Sequence, residues 1–195
     1  MQPCGKASVK AITATAGADN VDFICRDVER CAIRTAIHRA IRPACQDHRP
    51  RQIETLTLLS PAGLRPQING DILDGMARAN TAASLGPWLR MMMGDPSQLS
   101  DNYIQAAMLA RKDPKLRRAQ QALQTAIFPD HTQASDLSAA LNRVTCPTRI
   151  VFGKKDQVIP WQHALRAPGH VGLHFFPEMG HLPAFENPDA LLALL

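Results

Sequence analysis

Polar and apolar positions alternate with two different periods along this chain. Two short apolar runs, RIVFG at residues 149–153 and GLHFF at residues 172–176, are too short for helices, are flanked by glycine or proline, and are rich in β-branched or aromatic residues. Both predict buried strands. Residues 53–59, with Ile53, Leu56, Leu58 and Leu59 apolar, predict another strand, after which SPAGL at residues 60–64 turns the chain out of the sheet. From residue 64 to about 140 the period becomes helical. Ile72, Leu73, Met76 and Ala79 share one face; Leu85, Trp88, Leu89 and Met92 make a second; Tyr103, Ile104, Ala107 and Met108 make a third. The clearest helix has Asp113 as N-cap and Pro114 in its first turn, carries Leu116, Ala119, Leu123 and Ile127 at helical spacing, and stops at Phe128 and Pro129. Arg111, Lys115, Arg117 and Arg118 are expected to point largely outward as a solvated basic face, the alternative being a docking contact with an acidic partner. Asp136 is read as the cap of a short helix through Leu137, Ala140 and Leu141, Trp161–Arg166 as a crossover helix, and Asn187 with Pro188 as the start of a last helix.

The last two strands each run into a loop holding a side chain that chemistry can use. Asp156 follows the first and His181 the second. Loops leaving the carboxyl ends of parallel strands share one edge of a sheet, the edge where ligands bind, so the two are expected to face each other. A carboxylate that accepts a hydrogen bond from one imidazole nitrogen sets the tautomer and leaves the other nitrogen to take a proton from a nucleophile. Taken singly, Asp156 also reads as a turn former after Lys154 and Lys155, and His181 as a loop histidine after Gly180.

The segments CPTRIVFGKKDQVIP and FFPEMGHLPAFENP together resemble the carboxyl-terminal third of an α/β-hydrolase, in which an Asp after the penultimate strand and a His after the last complete a Ser–Asp–His triad. The resemblance covers about residues 53–195. It implies an α/β chain with an incomplete α/β-hydrolase fold: the last parallel strands of the sheet, from residues 51–63 and 141–195, plus a helical cap insertion at residues 64–140. It also implies catalytic roles for Asp156 as orienter and His181 as base. Trp88, Leu89 and Met92 are candidates for the wall of an acyl pocket under the cap, beside the plainer reading of cap core. Within the family, IETLTLLSPAGLRPQINGDILDGM is most similar to the hydrolase-type domain of the dihydrolipoyl acetyltransferase component of acetoin dehydrogenase complexes.

Composition narrows the partners. At 195 residues and 45% hydrophobic, the chain is long enough for one domain with a sizeable core, yet short for a complete hydrolase of this type. The net charge of +5 comes from dispersed residues, and one Tyr and two Trp give no interleaving of bases and rings, so nucleic acid is not an expected partner. No apolar stretch reaches about 18 residues, which argues against a membrane span. The first residues lack the apolar core of a secretory signal, so the cytoplasm is the expected location. The five cysteines, at 4, 25, 31, 45 and 146, have no ligand spacing, and neither metal, disulfide framework nor cofactor is expected.

Residues 1–50 read differently from the rest. A hairpin from residues 8–15 and 21–26 and an amphipathic helix over residues 31–42, with Ile33, Ile37 and Ile41 on one side, are the elements expected there. No strand, Gly-x-Ser-x-Gly elbow and helix stand in succession directly before residue 53; Ser8, the only serine before position 60, lacks the glycine two positions after it and the apolar strand before it. The nucleophile and oxyanion hole are therefore unassigned. Residues 1–50 are expected not to be family sequence, as a shifted reading frame or misplaced start would produce. Two functions follow. One is a truncated α/β-hydrolase, ancestrally an ester hydrolase or acyltransferase acting on a small acyl or ester substrate, of whose triad only His and Asp remain and which is inactive as written. The other is a non-enzymatic fragment or binding component among the subunits of an acetoin dehydrogenase-type multienzyme complex.

Overall fold

The computed structural model describes residues 12–15, 55–112, 114–134 and 136–194. Four parallel strands form its sheet in the order β1 (Ile12–Thr15), β2 (Leu56–Leu59), β3 (Thr148–Gly153) and β4 (Val171–Phe176). Parallel strands need apolar cover on both faces, and alternation along each strand divides its side chains between the two. Leu56, Leu58, Ile150 and Phe152 enter the larger core, under the helices that connect β2 to β3. Leu59 and Val151 face the other way and meet Leu191 from the carboxyl-terminal helix.

The sheet has one strand more than the three expected, residues 1–50 supplying cover for the edge of β2. β1 occupies that edge, paired from Ile12 with Leu56 to Thr15 with Leu59. A four-residue strand is too short to declare itself by period, and its pairing depends on a neighbour far along the chain. β1 falls in the first arm of the expected hairpin, but its partner is β2; residues 21–26 and 31–42 lie outside the described residues.

Among the described residues five α-helices lie between β2 and β3: α1 (Gly70–Arg78), α2 (Ala82–Met91), α3 (Asp101–Ala110), α4 (Pro114–Ile127) and α5 (Ser138–Leu141). Polar side chains start the first three. Asn69 Oδ1 accepts from Ile72 N at 3.3 Å, Thr81 and Ser84 form a capping box, and Ser100 Oγ accepts from Tyr103 N at 3.2 Å. The buried faces of α1 and α2 carry Ile72, Met76 and Ala79, then Leu85, Leu89 and Met92, with Leu73 half-buried. On α3 only Ile104 of the expected face is fully buried; Tyr103 is 40% exposed and meets the edge of Phe185 at 5.1 Å. For α4, the N-cap position 113 and the side chains of Leu116, Ala119 and Leu123 lie outside the described residues. Asp136 Oδ1 accepts from Ser138 N at 2.8 Å, at the first residue of α5.

Arg111 is the exception on a basic face expected to point largely outward. It is 4% exposed, and its Nη2 donates to Met76 O at 2.6 Å. The last carbonyls of a helix lack partners within it, and a guanidinium from α3's end supplies a donor there. Arg118 is exposed and Arg117 half-buried; the side chain of Lys115 is outside the described residues. Among the described residues no helix is long and apolar enough to cross a membrane.

After β3, a 3-10 helix (Trp161–Arg166) crosses to β4, and two short helices, α6 (Pro183–Glu186) and α7 (Pro188–Leu192), finish the described chain. β3 and β4 end in step, Gly153 opposite Phe176, and Ser60 at the end of β2 donates its amide to Val151 O at 2.9 Å. The loops that leave β2, β3 and β4 therefore share one edge.

Candidate active site

The acid loop braces itself. Asp156 N donates to Gly153 O at 3.2 Å, closing a turn directly after β3. Asp156 Oδ1 then accepts from the amides of Val158 at 2.8 Å and Ile159 at 3.0 Å. This is the turn an aspartate makes with its own following backbone. It leaves Oδ2 pointing across the edge, 2.9 Å from His181 Nδ1. Both side chains are removed from water, at 0% and 1% exposure. With a carboxylate as its acceptor Nδ1 carries the proton, which makes Nε2 the basic nitrogen of the neutral ring.

The base loop is braced from elsewhere. His181 N donates to Met92 O, at the end of α2, at 2.7 Å. The carboxylate of Glu186, on α6, accepts from Gly180 N at 2.9 Å, Leu182 N at 3.2 Å and Gly94 N at 2.7 Å. Backbones approach so closely here that side chains are excluded. A Cβ at Gly153 would stand 2.1 Å from Met179 O, and one at Gly180 would stand 2.5 Å from both Gly94 N and Met92 O. The connecting helices also reach the acid loop: Asn69 N donates to Val158 O at 2.9 Å, and Asn69 Nδ2 to Gln157 O at 3.0 Å.

The three residues expected under the cap separate. Leu89 and Met92 are packed in the core, at 5% and 2% exposure. Trp88 is half-buried and lines a cavity of about 660 Å³ between α1 and α2, with Asn69, Asp71, Asp74, Arg78 and Met91 among its neighbours. Met92 touches the loop of His181 through its carbonyl.

Sequence reasoning missed Glu186, although a glutamate in the first turn of a proline-started helix commonly reaches back to the amides before it. It also passed over Ser60. This serine follows β2 with φ of +43°, is fully buried, and its Oγ has no hydrogen-bond partner among the described residues. His163, on the 3-10 helix, is buried with no partner for Nδ1 among the described residues; burial, and then the nearby Arg65 charge, hold its pKa below the usual histidine value. Cys146 is half-buried beside Thr148, Sγ to Oγ1 4.0 Å. Among the described residues no group of three or more His, Cys, Asp or Glu side chains is placed to hold a metal ion.

Comparison with known proteins adds the family. The dihydrolipoyllysine-residue acetyltransferase component of the acetoin cleaving system of Pseudomonas putida is 28% identical over 140 residues, covering 72% of this chain and 37% of that protein. A 2-hydroxy-6-oxononadienedioate/2-hydroxy-6-oxononatrienedioate hydrolase of Cupriavidus pinatubonensis is 27% identical over 125 residues, covering 61% of this chain and 42% of its own length. The chain thus spans about two-fifths of these relatives. A meta-cleavage product hydrolase from Pseudomonas fluorescens IP01 shares the fold with a TM-score of 0.66 at 20% identity, over 80% of this chain and 58% of that structure. The sequence model of the alpha/beta hydrolase family matches residues 32–194, and this chain belongs to that family.

Proposed function

We propose that Asp156 and His181 are the acid and base of a site for ester hydrolysis or acyl transfer, acting on a small acyl or ester substrate, and that the chain as written turns over negligibly. The observation that carries the reading is the buried 2.9 Å contact between His181 Nδ1 and Asp156 Oδ2. It orients the imidazole and stabilises the imidazolium that forms when a hydroxyl nucleophile gives up its proton. No Gly-x-Ser-x-Gly stands anywhere in the sequence, and Ser60 Oγ makes no hydrogen bond among the described residues. Without a nucleophile such a site loses about six orders of magnitude in rate, the remainder coming from binding and an oxyanion hole.

The test combines p-nitrophenyl ester turnover with a fluorophosphonate label. The expected result is turnover no faster than buffer and no labelled protein. Labelling that persists in a Ser8→Ala variant and vanishes in His181→Ala overturns the inactive reading and requires a working nucleophile. A second reading is favoured by the 28% identity to the acetyltransferase component: a non-enzymatic binding role beside other components of an acetoin-cleaving system. Retention of those components on the immobilised chain supports it, and their passage through the column removes it.

A further inference from the structure

We propose that Glu186 is a positioning residue that makes the base loop and the end of α2 one body, so that His181 cannot be moved independently of the helices lying over the sheet. The proposal rests on the reading of His181 as the base. A carboxylate has about four lone-pair sites, and here three backbone amides take them. Gly180 and Leu182 flank His181 itself. Gly94 lies 92 residues earlier, just past α2. The first two bonds alone would make Glu186 a local cap; the third turns that cap into a clamp between distant segments.

Three other contacts close the same junction. His181 N donates to Met92 O, so the base hangs by its own amide from the end of α2. Gly94 and Gly180 meet backbone to backbone, where any Cβ would come within 2.7 Å of the opposite segment. On the outer side Tyr103 of α3 meets Phe185 of α6 edge to face. Charge-assisted bonds to an ionised acceptor are stronger than neutral ones, and the steric closeness leaves no slack to absorb a shift. If the helical insertion swung away at this end, it would draw His181 off Asp156. A substrate must therefore enter elsewhere, on a side where the helices can move without disturbing the proton relay.

Native-state hydrogen exchange on the unaltered protein is the first measurement. The amides of Gly94, Gly180, His181 and Leu182 are expected to merge into a single opening event across a denaturant series; a separate, faster opening of Gly94 overturns the clamp. The second is nitrogen-edited NMR of the His181 ring in Glu186→Gln and Glu186→Ala, with Glu178→Gln as the control on the neighbouring exposed carboxylate. Exchange of the Nδ1 proton should rise by about tenfold or more in the alanine variant, less in the glutamine variant, which keeps one acceptor oxygen, and not at all in the control. A folded Glu186→Ala that keeps the unaltered Nδ1 signal overturns the proposal. If the alanine variant does not fold, the glutamine variant and the exchange data decide. Neither readout needs turnover, so a silent ester assay leaves the clamp standing, while a merged opening with the proton on Nε2 would sink the catalytic reading alone.

Discussion

Asp156 and His181 end 2.9 Å apart, yet the loops that carry them are built by opposite means. The acid is held by residues two and three positions further on, through bonds the aspartate makes for itself. The base is held by Met92, Gly94 and Glu186, two of them about ninety residues away. An acid loop of this kind takes its main hold from its own backbone just past β3, with a further contact from Asn69 at the start of α1. A base loop of this kind needs the sheet, α2 and α6 all at once. In this fold the histidine and the aspartate beside it therefore differ in what they depend on, and damage to the helical insertion should reach the histidine first.

The largest effect should come from filling the junction. Gly153→Ala puts a methyl 2.1 Å from Met179 O and 2.3 Å from Gly180 O, both backbone atoms that cannot rotate aside. We expect a loss of at least about 3 kcal/mol in urea unfolding, at the upper end of overpacking costs. Gly169→Ala, where nothing lies within 4 Å, should be neutral and serves as its control. Equal costs for the two would mean the junction is looser than its geometry.

Next in size is Asp156→Ala, which strips the acceptor from two amides and from His181; about 3 kcal/mol is expected from those groups left without partners. Asp156→Asn keeps an oxygen for the amides and should cost clearly less. If the two variants are equally unstable by denaturant midpoint, the self-bracing account of the acid loop fails.

Asn69→Ala sharpens the comparison from the other side. It removes the N-cap of α1 together with the bond to Gln157 O, and about 1 kcal/mol should be lost. The ring NMR of His181 should not change, because Asn69 serves the acid loop; a shifted His181 signal would show that the two loops are coupled after all.

The smallest effect concerns pH. His163 is buried with a pKa lowered chiefly by desolvation, so the folded chain holds it neutral where the unfolded chain takes up a proton. Its contribution is fully present above the unfolded value of about 6.5 and declines as pH falls from there toward the lowered folded value. In His163→Gln the fall in urea midpoint between pH 7 and pH 5 should be shallower. An unchanged slope would assign the pH dependence to other groups.

Reading the sequence reached far into the site and less far into what supports it. β3 was legible because a parallel strand buried on both faces shows as an unbroken apolar run, as in Ile150, Val151 and Phe152; β4, expected to be buried as well, lies at the end of the described sheet with Gly172 exposed and residues 173–176 half-buried, and was legible only from its short run between glycine and proline. α1 and α2 were legible because Ile72 and Met76, or Leu85 and Leu89, repeat with the helix and are all buried. Tyr103 belongs to the same pattern but stays 40% exposed, since its partner Phe185 sits on α6, which no helical period can reveal. Arg111 looked like a surface charge for the same reason: the carbonyl that holds it lies 35 residues earlier.

What the order of amino acids determined alone were the features written in short spacings: strand and helix types, the caps at Asn69, Thr81 and Asn187, and an aspartate that closes its own turn. These involve neighbours within a few positions, and their hydrogen bonds form wherever the local backbone does. Only the tertiary structure decided that β1 covers the edge of β2, that Arg111 goes inside, and that Glu186 and Gly94 meet behind His181. Each of those pairs residues far apart along the chain, brought together by burial of the sheet's two faces, and loop closure over such distances leaves no periodic trace in the residues it joins.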